Sequence, residues 1–282
     1  MDPVGEARAE LDAIRGRELA DPHVDPRDAT AWHIPDTVAP RAVVLLHGIT
    51  NSPLQYERFV PWLTARGDAV IVPRFRYHGY RNRMTDAVAK LTADDLQTDT
   101  LRSVSIAARC GKRVIVAGIS VGAALAGWVA GRVAIDKAVA IAPFCGVRFL
   151  PGSVNDGFGA LLRALPNRML WWDPRAKANQ QPWHAYPRFP THALGVSLGI
   201  GSEIAGPGDA YARRVDLVLN AHEPIINNAH ASRRFGALRE RGVEVVTTVW
   251  DDLPKIHDII EPEISAARID LVYPRLAALI DA

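Results

Sequence analysis

Lysine is scarce in this chain: five in 282 residues, at 90, 112, 137, 177 and 255, so arginine carries most of the positive charge. No basic block forms, and 33 basic residues face 31 acidic ones for a formal net charge of +2. That is not the electrostatic footprint of a nucleic-acid partner. Cysteine is nearly absent too. Two residues, Cys110 and Cys145, make no disulfide framework, and Cys145 is expected as a buried, inert thiol. No apolar run is long enough to span a bilayer. The N-terminal MDPVGEARAELDAIRGRELADP is charged throughout and lacks the apolar centre of a signal peptide. A cytoplasmic protein without an integral membrane segment is the resulting expectation. Internal repeats and low-complexity tracts are missing as well. What remains is an ordinary 48% hydrophobic and 23% charged residues, enough for a large core in one α/β domain, with or without an insertion.

The apolar residues come in short runs. Ala42–Leu46, Ala69–Val72, Val114–Val116 and Ala138–Ala142 are continuous and β-branched, as parallel strands buried on both faces are. Between them lie helical patterns at Tyr56–Arg66, closed by Gly67, and at Leu96–Cys110, closed by Gly111. A charged helix over residues 4–19 and an edge strand at Ala31–Ile34 precede them. The alternation predicts βαβ units and a parallel sheet whose ligand sites lie at the carboxyl ends of the strands. From about Phe144 to Gly208 it breaks: three of the seven tryptophans (Trp171, Trp172, Trp183) occur here, with several prolines and no clear strand. An insertion of this length reads as a lid, giving a core of 1–143 and 209–282 and a cap of 144–208. Strands resume at Val215–Leu219 and Val243–Val249. A closing helix is expected over Pro262–Leu279, interrupted near Pro274.

The chemistry centres on RVIVAGISVGAALAGWV, residues 113–129. A strand, Gly118-Ile119-Ser120-Val121-Gly122 and an Ala-rich helix follow one another directly, the context in which G-x-S-x-G makes a nucleophile elbow. The two glycines allow strand and helix to approach around a strained serine. Ser120 is then the candidate nucleophile, with the Val121 N–H at the positive helix end to meet an oxyanion. Gly195–Gly199 also fits G-x-S-x-G, but no β-branched run precedes Ser197.

A serine hydroxyl needs a base and a group to orient that base. In this architecture they follow in the order acid, then histidine, after later strands. Glu223 lies just past the Val215 strand, with Asp216 inside the strand ranked below it; Asp251, Asp252 and Asp258 are competitors from the next loop. His257 is the only histidine beyond the last strand and is the candidate base, ahead of His222 and His230. The second oxyanion donor is expected from the turn after the first buried strand, where His47-Gly48 exposes the Ile49 N–H.

LLHGITNSPLQY, RFRYHGYR, VAGISVG and LPKIHD together resemble the α/β-hydrolase superfamily, in particular bacterial carboxylesterases and monoacylglycerol-lipase-like serine hydrolases. The resemblance runs from about residue 40 to the end. It implies a mostly parallel sheet flanked by helices, a mobile cap over an acyl pocket, and no cofactor or metal. It also implies Ser120 as nucleophile, His257 as base, Glu223 at the acid position, and Ile49 and Val121 as oxyanion donors. Ala123 stands where glycine is common, and glutamate where aspartate is usual. The implied partner is a small-molecule ester with an apolar acyl group. Thioesters, lactones and C–C bonds are open to the same triad, as is a non-catalytic, ligand-binding role, and a cap-mediated homodimer is left open. The arginine-rich loop Arg74, Arg76, Arg81 and Arg83 reads as solvated.

Overall fold

A computed structural model describes residues 2–208 and 210–282. The chain opens with helix α1 (Pro3–Leu19), capped by the Asp2 side chain on the Val4 N–H. Strands β1 (Ala31–His33) and β2 (Ala39–Leu46) follow, then the short helix α2 (Val60–Thr64) and strand β3 (Ala69–Val72). Helix α3 (Ala93–Cys110) starts at a capping box in which Thr92 and Asp95 satisfy each other's backbone N–H. Strand β4 (Gly111–Ile119), helix α4 (Val121–Ala130) and strand β5 (Lys137–Ile141) complete the first half. The second half holds helix α5 (Gly152–Ala164), strands β6 (Met169–Trp171) and β7 (Arg188–Pro190), helix α6 (Thr191–Ser202) and strand β8 (Arg214–Asn220). Helix α7 (Asn228–Gly236), strand β9 (Glu244–Trp250) and helix α8 (Ile269–Asp281) end it.

The main sheet has the order β1-β3-β2-β4-β5-β8-β9. Every neighbouring pair is parallel except β1–β3. Residues facing one side, among them Val44, Val116 and Ala138, pack under α3 and α4. Those facing the other side, such as Val43, Ile115 and Val139, pack against α8 through Tyr273 and Leu276. Burial on both faces is why these strands are continuous apolar runs. Because these strands run parallel, the carboxyl ends of β2, β4, β8 and β9 lie along one rim of the sheet.

Three expectations need correction. The pattern over Tyr56–Arg66 is a 3₁₀ turn (Pro53–Tyr56) followed by the five-residue α2, not one helix. The closing helix begins at Ile269 and runs through Pro274. Pro274 removes one backbone bond, but the buried face of Val272, Tyr273, Leu276, Ala277 and Ile280 keeps the helix intact. Its predicted first turn is spent elsewhere: Glu263 accepts the Trp183 N–H at 2.6 Å and Glu261 is wholly buried. The stretch 144–208 also contains strands: β6 and β7 pair antiparallel, Met169 opposite Pro190. At three residues each, these strands carry too little alternation to be recognised. Ala193, Val196 and Ile200 of α6 join the core beside α4, so this helix is anchored on the main body while α5 is largely exposed.

Candidate active site

The elbow is built by close packing. A Cβ on Gly118 would lie 2.3 Å from the Gly122 carbonyl carbon, and one on Gly122 would lie 2.0 Å from the Leu46 oxygen. Only glycine lets β4, α4 and β2 meet this closely. Between them Ser120 takes φ 57° and ψ −117°, a conformation that costs a non-glycine residue of order 1–3 kcal/mol. Three backbone bonds maintain it. Ser120 N–H donates to Ile141 O at 3.0 Å, and Ser120 O accepts from Ala124 and Phe144 N–H, each at 3.0 Å. The second G-x-S-x-G is unlike this: it lies inside α6, and buried Ser197 donates to Ala193 O at 2.9 Å.

Glu223 follows the end of β8 in a turn closed by its N–H to Asn220 O at 3.2 Å. Its Oε1 accepts the Ile225 and Ile226 N–H groups at 2.8 and 3.3 Å, and its Oε2 meets His257 Nδ1 at 3.0 Å. Burial opposes the charge, but the imidazole and the two N–H groups outweigh it and hold the carboxyl below its usual range. His257 is likewise disfavoured as a cation by burial, yet Glu223 raises it above an ordinary histidine. Asn220 ties the two loops together, its Nδ2 donating to Pro254 O (2.9 Å) and Ile256 O (3.0 Å).

The other candidates are elsewhere. Asp216 is buried beside Arg214 at 2.8 Å and Lys137 at 3.4 Å. His222 contacts the Asp251 carbonyl at the surface, at 3.1 Å. His230 lies in α7 against Arg233 and Asp156, and Asp252 pairs with Arg275. Cys145 is buried, and burial pushes its thiol up to about 12.

At the end of β2, His47 Nδ1–H donates to Gly48 O at 2.8 Å, and its Nε2 accepts from the Phe75 N–H at 3.3 Å. Burial and then His78 keep its pKa well below an ordinary imidazole's, so it stays neutral and holds one tautomer. His78 Nε2 donates to Ile49 O at 2.5 Å. Among the described residues, neither the Ile49 nor the Val121 N–H has a protein acceptor. Ser120, His257 and Ile49 line one cavity of about 270 Å³, with Trp172, Tyr186 and Pro187 of the insertion contributing to its walls. No hydrogen bond joins Ser120 Oγ to His257 among the described residues; both face this shared space.

Two parts of the site were not legible in sequence. The insertion is fastened to the Ile49 turn: Trp172 Nε1 donates to Thr50 Oγ1 at 2.9 Å and Tyr186 N–H to Thr50 O at 2.8 Å. In the arginine loop, expected to be solvated, Arg76 and Arg81 are exposed, but Arg83 tethers the insertion. Arg83 donates to the carbonyls of Ala185 (2.7 Å), Gln180 (2.8 Å), Pro182 (3.0 Å) and Ala178 (3.3 Å), with its guanidinium over Trp183. Arg76 pairs with Asp95 at 2.7 Å and Arg74 with Glu18 at 3.4 Å. Four turned-back carbonyls left no periodic signal in the sequence of the insertion.

A family model described as "Alpha/beta hydrolase family" matches residues 43–278. The chain belongs to the alpha/beta hydrolase family. The same fold appears in solved structures of low identity. One, described with LipS and LipT, two metagenome-derived lipolytic enzymes, has TM-score 0.64 at 19% identity, covering 92% of this chain and 99% of that one. A soluble variant of the monoglyceride lipase of Saccharomyces cerevisiae gives 0.61 at 11%, covering 90% and 94%. The monoacylglycerol lipase of Paleococcus ferrophilus gives 0.57 at 15%, covering 88% and 99%. No curated protein matches the sequence. As a member of this family the chain has the hydrolase fold, and no helix among its described residues is long and apolar enough to cross a membrane.

Proposed function

We propose that this protein is a serine hydrolase acting on carboxylic esters with a small to medium acyl group. The observation that carries the reading is the convergence of an elbow serine and a glutamate-paired histidine on one cavity. Ser120 Oγ attacks the ester carbonyl while His257 Nε2 takes its proton; Glu223 holds Nδ1–H and steadies the imidazolium. The Ile49 and Val121 N–H groups receive the tetrahedral oxyanion, a contribution of about 3–4 kcal/mol per donor. His257 then protonates the leaving alcohol, and water repeats the sequence to free the acid. Residues 144–208 act as the cap over the acyl pocket.

The cavity supports the chain-length assignment. At about 270 Å³ it holds roughly nine groups of water size, and Trp172, Ile225, Ile256 and Ile264 make its walls apolar. The structures of similar fold are of lipolytic enzymes and monoacylglycerol lipases, which accords with an ester substrate. Ser120→Ala tests the reading: kcat on p-nitrophenyl esters should fall about 10⁴-fold or more, and fluorophosphonate labelling should disappear. Undiminished hydrolysis by that variant would exclude Ser120 as nucleophile.

A further inference from the structure

The Ile49 N–H belongs to the Gly48–Ile49 peptide, and a trans peptide directs its N–H opposite to its C=O. Whatever fixes Gly48 therefore aims this donor. Gly48 O accepts from His47 Nδ1–H at 2.8 Å and from the Asn51 N–H at 3.1 Å. The preceding peptide is held by a side chain that lines the same cavity as Ser120: Gly48 N–H donates to Gln55 Oε1 at 2.9 Å. The other end of that amide, Nε2, donates to Asp258 Oδ2 at 2.7 Å. A backbone donor at one end and a carboxyl at the other leave only one orientation of the amide. Gln55 is 1% exposed, so water does not compete for either bond.

Asp258 directly follows His257. Its Oδ2 also faces Asn51 Nδ2 at 3.4 Å, while its Oδ1 is buried with no hydrogen-bond partner among the described residues. Asn51 in turn donates to Glu261 Oε2 at 3.0 Å and accepts from Ser52 N–H (2.9 Å) and His184 Nε2 (2.8 Å). The histidine loop and the oxyanion turn are thus joined through side-chain amides, with Gln55 the direct link.

We propose that Gln55 and Asp258 are positioning residues that hold the Gly48–Ile49 turn and the His257 loop in one register, so that base and oxyanion donor address the same carbonyl. This rests on the serine-hydrolase reading above. The requirement is one of bond sense: an acceptor toward Gly48 N–H, and a donor meeting an acceptor between positions 55 and 258. Gln55→Met keeps the length and loses both bonds. Gln55→Glu keeps the acceptor but sets two carboxyl groups against each other. Gln55→Glu with Asp258→Asn restores the pairing in reverse, the new amide donating to the new carboxyl.

The test measures kcat, KM, the rate of fluorophosphonate labelling and Tm for the wild type and these variants. Gln55→Met and Gln55→Glu should lower kcat by about 10- to 100-fold with little change in KM, and labelling should slow in parallel, because the adduct uses the same donor. The double variant should recover at least about tenfold of the kcat lost in Gln55→Glu, the scale of the misplacement penalty. Unchanged kcat in folded Gln55→Met, or a double variant that recovers Tm but not kcat, overturns the proposal. If Gln55→Met does not fold, the swap decides alone. A wild type that labels at Ser120 while the swap fails sinks only this proposal; a wild type that neither labels nor responds to Ser120→Ala removes the underlying reading and this one with it.

Discussion

Glu223→Gln is the most diagnostic change in the proposed site, because the structure dictates how the new amide must lie. Glu223 Oε1 accepts two backbone N–H groups, from Ile225 at 2.8 Å and Ile226 at 3.3 Å. A glutamine must keep its oxygen there, since turning its NH₂ toward two donors would leave both unsatisfied in a buried place. The NH₂ then faces His257 Nδ1, now 3.0 Å from Glu223 Oε2. A donor at Nδ1 forces the ring proton onto Nε2, the atom that must accept from Ser120. The fold is preserved and the tautomer is wrong. The expected loss is about 10⁴-fold in kcat, as for the aspartate-to-asparagine change in serine-protease triads, or about 5.4 kcal/mol of transition-state stabilisation. Glu223→Asp retains charge but shortens the reach, so a loss of about 10²-fold is expected from misplacement. The assay is kcat/KM on a short p-nitrophenyl ester from pH 5 to 9. His257 must be neutral to act as base, so activity falls as pH drops through its pKa. Glu223 raises that pKa, which places the wild-type acid limb above an ordinary imidazole's. Weakening the pair in Glu223→Gln should move the residual limb to lower pH. Retention of wild-type rate within tenfold, or an unmoved acid limb, would refute the assignment of Glu223 as orienting acid.

Three further outcomes follow from the packing. Gly122→Ala should destabilise the fold by about 3 kcal/mol or more, as overpacking of a rigid contact does, since its Cβ would meet the Leu46 oxygen at 2.0 Å; urea unfolding measures this. Arg83→Leu releases the four carbonyls of the insertion, and KM should rise about tenfold with kcat less affected, the loss of roughly one charge-assisted hydrogen bond. Burial and then Glu261 push Asp258 up to about 7, from an ordinary 3.8. The folded state then binds a proton that the unfolded chain has lost, so stability should decline as pH rises from about 4 to about 7. Asp258→Asn should flatten that slope in Tm measured against pH; an unchanged slope would assign it to other groups.

The elements that could be read in sequence are those whose physical demands are local. β2, β3, β4 and β5 are buried on both faces over 42–46, 69–72, 114–119 and 138–141, so these stretches are apolar throughout and the run itself marks a strand, although Arg41, Lys112, Arg113 and Lys137 stand at the strand starts. The elbow is legible because a serine at φ 57° between a strand and a helix demands glycine on both sides. Glu223 and His257 could be nominated as a pair because chain order and strand ends restrict where an acid and a base can stand, and their side chains do meet at 3.0 Å. The insertion was visible only as a break in alternation. Its course is set by Arg83, Thr50 and Tyr80, which supply partners to residues 172–186 from about a hundred positions away.

The support beneath the site was illegible for a different reason. Gln55 and Asn51 reach Asp258 and Glu261 across 203 to 210 residues; Gln55 sits in the four-residue 3₁₀ turn Pro53–Tyr56 and the other three in loops, none of them long enough to impose a period. What the sequence does carry is two amides in one loop and two carboxyls in another. In the proposed mechanism the reacting groups tolerate no exchange: hydroxyl, imidazole and N–H would each perform a step that another group cannot. A positioning pair has no such restriction. Any donor and acceptor of equal reach can hold the Gly48 turn, and for that reason exchanging the amide and the carboxyl between positions 55 and 258 should preserve the chemistry, whereas exchanging Ser120 or His257 should not.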